Sequence, residues 1–253
     1  MIFDSHAHYD DTQFDEDREE VLASLLTQGI GTVVNVSATL DSCAKVVELA
    51  QSHKEIYAAV GVHPDEVGSL DERSYEGLKR LCVQNKVVAI GEIGLDYYWE
   101  HEPHEIQKTW FIRQLQLAQE MKLPVLIHSR EASEETFEII REYGEGLTGV
   151  IHCFSSSAEM AKEYIKLGYY IGVGGVVTYS NGKKLKKVVE EIGLESILLE
   201  TDCPYLAPVP NRGTRNTSLN LKYVVDEIAR LKEVTCEEVI EQTEINAKKM
   251  FGL

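Results

Sequence analysis

His6 and His8 stand one residue apart in the opening run MIFDSHAHYD, directly after the strand-like Ile2-Phe3-Asp4. Side chains alternate along a strand, so the two imidazoles project from the same face. Four more residues of ligand type occur in apolar runs: Glu92 in AIGEIGLD, His128 in VLIHSR, His152 in VIHCFS and Asp202 in LLETDCP. Imidazole nitrogens and carboxylate oxygens bind zinc, manganese, nickel and similar divalent ions, whereas magnesium (Mg) prefers oxygen. Four histidines and two carboxylates exceed what one tetrahedral ion needs. A pair of ions bridged by Glu92 uses the set economically. His6, His8, Glu92 and Asp202 would hold the first, and Glu92, His128 and His152 the second. Two metals about 3.5–4 Å apart clamp attacking and leaving oxygens and lower the pKa of a water between them. A lone histidine at a strand end is more often hydrogen-bonded structure than a ligand. Glu92 differs, because an unpaired carboxylate between apolar residues is costly and needs a cation beside it. An arginine is the alternative to a metal.

Something must bring these residues together. Eight short, nearly continuous apolar runs recur along the chain, at residues 2–8, 32–38, 56–63, 87–96, 125–130, 150–155, 170–175 and 197–204. That is the pattern of parallel strands buried on both faces. Helical patterns fill the gaps. DREEVLASLLTQG ends at Gly29, a C-cap candidate; Ser69 with Glu72, and Ser156 with Glu159, have capping-box spacing, and the latter helix stops at Gly168. Two further helices start at about Asn216 and at Thr235. Eight strand–helix units predict an α/β chain forming one TIM (β/α)8 barrel over residues 1–253, in preference to an open doubly wound sheet. In such a barrel the six ligand candidates, with His63 and Glu200, fall at the C-terminal ends of strands, where active sites are built. GVGGVV does not complete a dinucleotide fingerprint, and no Walker loop is present.

Composition narrows the classes. A net charge of −17 repels nucleic acid at long range, so a nucleic-acid substrate needs a local basic patch or metal ions. No apolar run is long enough for a membrane span. The N-terminus shows no signal-peptide pattern. Five scattered cysteines without a CxxC predict free thiols in a reducing cytoplasm. A monomer is compatible with the sequence, which does not fix the oligomeric state.

Six motifs in order, DSHAHYD, GVHPDE, GEIGLDYY, PVLIHSRE, IHCFSSS and LLETDCPYLAP, resemble the signatures of the TatD family of metal-dependent deoxyribonucleases over essentially the whole chain. The resemblance implies a TIM barrel, two divalent metals and phosphodiester hydrolysis of DNA ends or single strands. By motif it assigns His6, His8, Glu92, His128, His152 and Asp202 as metal ligands, and His63 to a position near the substrate. Glu92 and Asp202 would be catalytic, Asp202 orienting or deprotonating the water. One stretch departs. Members commonly read RGKRNEP after the last strand, and this chain reads RGTRNTS, with Thr214 in place of lysine and Thr217-Ser218 in place of Glu-Pro.

Around this site Arg130, Arg212 and Arg215 are candidate phosphate contacts, joined by Lys183 and Lys184 at the start of a helix. Arg130 could instead pair with Glu92 or Asp202. Tyr97, Tyr98 and Trp99 either stack on an unpaired base or cover the barrel mouth. His101 and His104 are expected to be structural, and Cys153 and Cys203 to be buried small hydrophobes. The competing function is an ester or amide hydrolase, including aminoacyl-tRNA deacylation. Related two-metal barrels of that type often bridge their ions by a modified lysine on the fourth strand, a position held here by Glu92.

Overall fold

A computed structural model describes residues 1–99 and 101–253. Its eight parallel strands lie side by side in chain order: β1 (Ile2–Ala7), β2 (Ile30–Val36), β3 (Ile56–Val60), β4 (Val87–Asp96), β5 (Val125–Arg130), β6 (Gly149–Ile151), β7 (Tyr169–Val173) and β8 (Ile197–Leu199). Helices cross between them: α1 (Arg18–Ser24), α2 (Leu40–Ser52), α3 (Glu72–Cys82), α4 (His104–Met121), α5 (Ser133–Tyr143), α6 (Ala158–Lys166) and α7 (Lys183–Glu191). Then α8 (Leu221–Lys232) and α9 (Cys236–Phe251) follow β8. The sheet closes just past the ends of β8 and β1. Ala7 and Cys203 form a parallel bridge. The N–H of His8 donates to the Cys203 carbonyl at 2.8 Å, and that of Asp202 to the His6 carbonyl at 2.9 Å. The result is the expected TIM barrel. No helix of the described residues is long and apolar enough to cross a membrane.

Six strands end earlier than their apolar runs, β6 and β8 by the most. β6 stops at Ile151 and β8 at Leu199, because Cys153 (φ 45°) and Asp202 (φ 58°) occupy the left-handed region, which does not continue a strand. β3 ends at Val60, so His63 lies beyond it, and its Nδ1 accepts the Asp65 N–H at 3.2 Å.

Capping also departs from expectation in two places. Asp71, not Ser69, caps α3, with the Ser74 N–H donating to it at 2.8 Å and its own N–H donating to Ser74 Oγ at 2.7 Å. Ser69 instead donates to the Glu66 carbonyl at 2.7 Å. Ser157 caps α6, while Ser156 is hydrogen-bonded to Ser133 at 2.9 Å. Thr235 opens its helix as expected, whereas α1 stops at Ser24 and Gly29 (φ 89°) closes a separate 3-10 turn at Leu26–Gln28. α8 starts at Leu221, because buried Asn216 is pinned in the preceding loop, its amide donating to the carbonyls of Thr201 (3.0 Å) and Tyr205 (2.8 Å).

The main apolar core lies between strands and helices. A smaller cluster joins Phe3, Val34, Leu126 and Leu198 to Met250 and Phe251 of α9. It fills the barrel interior and is plugged at the end opposite the ligand candidates. Phe3 and Phe251 stack there with ring centroids 5.6 Å apart and planes 2° from parallel. At the other end two buried glutamines of α4 hold loose strand ends. Gln114 accepts the Val62 N–H (2.9 Å) and donates to its carbonyl (3.1 Å); Gln107 does the same for Asp96 (2.9 and 2.8 Å). A neutral amide satisfies both backbone groups without adding charge near the site.

Truncating Phe251 to alanine should therefore lower stability by about 3–5 kcal/mol through the cavity it leaves. Metal bound per folded molecule should not change, since the donors lie at the far end of the barrel. Urea denaturation and elemental analysis of the variant check both halves of this expectation.

Candidate metal centre

Glu92 owes its position to an irregular stretch of β4. The pairing with β5 shifts register between Ile90 and Ile93, which turns the carboxylate into the barrel mouth. Gly94 follows at φ 149°, and a Cβ there would sit 1.9 Å from the His128 carbonyl oxygen. The glycine lets β4 and β5 approach closely enough to set His128 beside Glu92.

The two carboxylate oxygens face different histidine pairs. Oε2 lies 3.4 Å from His6 Nε2 and 3.9 Å from His8 Nε2. Oε1 lies 2.8 Å from His128 Nδ1 and 3.7 Å from His152 Nε2. Asp202 Oδ1 completes the ring, 3.4 Å from His8, 3.5 Å from His152 and 3.9 Å from His6. His6 and His8 place their Nε2 atoms 3.2 Å apart. Ligands of a tetrahedral zinc, at about 2.1 Å from the ion, are about 3.4 Å from one another. The separations among His6, His8 and Glu92 are those of one possible metal-holding group, and Asp202 Oδ1 lies within reach of both histidines. Outer partners agree. His8 Nδ1 faces the Val36 carbonyl at 2.8 Å and His152 Nδ1 faces Glu200 Oε2 at 3.0 Å, which leaves both Nε2 atoms for a metal. His6 Nδ1 is buried and has no hydrogen-bond partner.

Donor atoms also converge on the His128 side, where His63, Glu92 and His128 form one possible metal-holding group. His63 packs edge-on against His128, with centroids 4.3 Å apart. His152 groups with His6 and Asp202, its ring stacked on His6 at 3.5 Å. The six expected ligands thus occupy one connected cluster.

Asp96 and Glu200 were not assigned roles from sequence. Asp96 Oδ2 meets His128 Nε2 at 3.0 Å. It shares a strand face with Glu92, two alternations on, and that spacing was the available signal. Glu200 orients His152 and accepts the Cys153 N–H at 2.7 Å. Its room comes from Gly172, where a Cβ would lie 2.4 Å from Glu200 Oε2.

The basic candidates separate. Arg130 makes no ion pair with Glu92 or Asp202 among the described residues; its guanidinium lies 3.9 Å from the Tyr98 ring centre. Arg212 covers the Tyr179 ring at 4.3 Å. Arg215 is committed elsewhere, with both terminal nitrogens on Asp17 and one also donating to the Gln13 carbonyl at 2.7 Å. Lys184 lines two adjoining cavities, of 480 and 150 Å³, the smaller of which reaches Asp202. Cys203 is buried as expected, but Cys153 is half-buried and lines the smaller cavity, because its left-handed backbone takes it out of the strand.

Electrostatics follow from an anionic cluster with little solvent. Burial opposes charge on every group. For His8 the Asp202 hydrogen bond and charge overcome burial and raise the imidazole to about 9. Asp96 and Glu92 likewise hold His128 at about 9, and Glu200, Glu92 and Asp202 raise His152 to about 10. Burial wins for His6, which is lowered, and for His63, which falls to about 3. Glu92 stays ionised despite burial, held well below its usual range by the charges of His6 and His152. Without metal, protons supply the positive charge that the carboxylates require.

A barrel that gathers such donors at the C-terminal ends of its strands has the architecture of a metal-dependent hydrolase. Residues 3–252 match the family described as TatD related DNase, and the chain belongs to the TatD family. It is 43% identical over 254 residues to the uncharacterized metal-dependent hydrolase YabD of Bacillus subtilis, covering all of both chains. Among solved structures it resembles YJJV, a TatD homolog from Escherichia coli, with a TM-score of 0.94 and 30% identity over 100% of this chain and 98% of that one. A TatD family hydrolase from Entamoeba histolytica gives a TM-score of 0.89 and 25% identity, covering 99% and 97%. The protein is a metal-dependent hydrolase of this family.

Two expectations follow. His8, His128 and His152 bind protons more tightly folded than unfolded, so in metal-free protein their stabilisation is complete below about pH 6.5 and lost as pH rises through 9 to 10. His6 and His63, held neutral, act oppositely, costing stability only as pH falls below about 6.5. A bound cation replaces the protons, so the Tm gap between metal-loaded and chelator-stripped protein should widen from pH 6.5 to 9. Calorimetry at the two pH values tests this, and a constant gap would refute the account. In addition, Glu92→Ala should lose at least about tenfold more activity than His6→Ala at saturating manganese, because Glu92 faces all four histidines. Equal residual rates on a small phosphodiester would argue against a shared carboxylate.

Proposed function

We propose that the chain is a two-metal phosphodiesterase of the deoxyribonuclease type, acting on DNA ends or single strands. The observation that carries this reading is the division of Glu92, one oxygen toward His6 and His8 and the other toward His128 and His152. The name of the matching family supports it, as do Arg130 and Arg212 at the rim, which form no ion pair among the described residues. One cation would be held by His6, His8, Glu92 and Asp202, and the other by Glu92, His128 and His152. When bound, such ions neutralise charge developing on phosphate oxygens and favour deprotonation of water.

The residues divide the remaining work. Burial alone would raise Asp202, but His152 and His8 keep its carboxylate below the ordinary range, so it is available at neutral pH to orient water and accept its proton. His63, held neutral beside His128, offers a hydrogen bond without a charge. Arg130 and Arg212 supply positive charge to a phosphate locally, where a body of net charge −17 offers no long-range attraction. Arg215, bound to Asp17, is assigned to holding its loop. A cytoplasmic location suits five free thiols.

Protein loaded with manganese, zinc, nickel or magnesium should release nucleotides from single-stranded DNA, and Asp202→Asn should lower that rate by about 10²–10⁴-fold. Parallel assays on RNA, an aminoacyl-tRNA and a cyclic amide decide between substrate classes. Turnover of the tRNA ester or the amide with none of DNA would replace the nuclease reading by the ester or amide one.

A further inference from the structure

Tyr97, Tyr98 and Trp99 are consecutive but serve different ends. Tyr97 turns into the protein, stacking on His104 with centroids 3.6 Å apart while its hydroxyl donates to Glu135. Tyr98 and Trp99 remain 48% and 52% exposed, their rings edge to face at 4.8 Å. The Arg130 guanidinium lies against both, 3.9 Å from the Tyr98 centroid and 5.3 Å from that of Trp99. Arg130 forms no salt bridge among the described residues and lies two residues beyond His128 on the same strand face. An exposed aromatic pair beside a guanidinium with no carboxylate partner among the described residues suits a ligand that offers a flat π face next to an anion.

Asp96 ties this group to the metal donors. Its Oδ1 accepts the N–H groups of Tyr98 (2.8 Å) and Trp99 (3.3 Å), and its Oδ2 meets His128 Nε2 at 3.0 Å. Gln107 clamps the Asp96 backbone from α4. The turn bearing the aromatic pair is therefore held in register with a candidate metal ligand.

We propose that Tyr98, Trp99 and Arg130 form a platform on which an unpaired base of a single-stranded polynucleotide stacks, with the guanidinium on a neighbouring phosphate. Asp96 acts as a positioning residue, fixing the distance between that base and the reacting phosphate. The second half of this statement rests on the phosphodiesterase reading; the first does not. A base inside an intact duplex keeps its faces within the stack, so the platform selects frayed ends and single strands.

Tryptophan fluorescence tests it directly. Trp110, the other tryptophan, is only 9% exposed and gives a steady background. Metal-loaded Asp202→Asn protein, in which turnover is slowed about 10²–10⁴-fold, is titrated with dT8, rU8 and a blunt DNA hairpin. Quenching by at least one single strand, with little by the hairpin, is expected. Adding Trp99→Leu should abolish the quench and weaken binding about 5- to 100-fold, the usual range for losing one stacking aromatic. In otherwise wild-type protein, Trp99→Leu should raise KM for the oligonucleotide by a similar factor. Hydrolysis of bis(p-nitrophenyl) phosphate should stay within about twofold, since that substrate reaches only the metal donors. No quench by either strand, equal quench by the hairpin, or unchanged affinity of Trp99→Leu would each overturn the platform. Quenching without DNA cleavage by the active protein would sink the nuclease reading and leave the platform standing.

Discussion

A carboxylate buried among imidazoles is the constraint on which this site depends. Glu92 is 4% exposed and touches no lysine or arginine among the described residues. Its charge is tolerable only because four histidines surround it, and the four come from β1, β5 and the turn after β6. The barrel is the device that brings those segments within reach. At this end the register shift of β4, the left-handed Cys153 and Asp202 and the close approach at Gly94 aim the donors, whereas the opposite end is an apolar plug.

Much of this was legible in the sequence because barrel strands obey simple alternation. Two histidines at i and i+2 must share a face, and apolar runs at a regular interval must be strands of one sheet. All six ligand candidates accordingly meet in one cluster. What alternation does not reveal is anything set by contacts across the chain. Glu200 reads as one more acidic residue near a strand end; only the pairing of β7 with β8 brings it under His152, into space left by Gly172. Arg215 carries the same charge as Arg212, yet Asp17, distant in sequence, removes it from the rim. The buried glutamines of α4 look like surface residues in a helix whose apolar pattern is weak, and their task appears only when the loose ends of β3 and β4 lie beside them. The observed caps have a local cause, since several serines and acids compete for one helix start and the winner depends on how the preceding loop arrives.

The acidic surface and the basic rim are parts of one arrangement. Beyond about a Debye length, roughly 8–10 Å, charges are largely screened, and within it the body's charge of −17 repels a polyanion wherever the rim does not offset it. On the proposed reading, attraction falls to Arg130, Arg212, Lys184 and bound cations, and the departure of Thr214 from lysine removes one more charge from that small set. Such a surface would leave the middle of a long duplex unattractive and give short-range contacts the deciding role.

The seam between β8 and β1 has a consequence for how the protein is made. His6 and His8 leave the ribosome first, whereas Asp202 and the residues that bridge to Ala7 are translated only after four-fifths of the 253-residue chain. A nascent chain short of β8 therefore carries His6, His8 and Glu92 without Asp202. Asp202 and the hydrogen bonds that close the barrel are added together, so the donor ring and the closed sheet are completed in one step of synthesis.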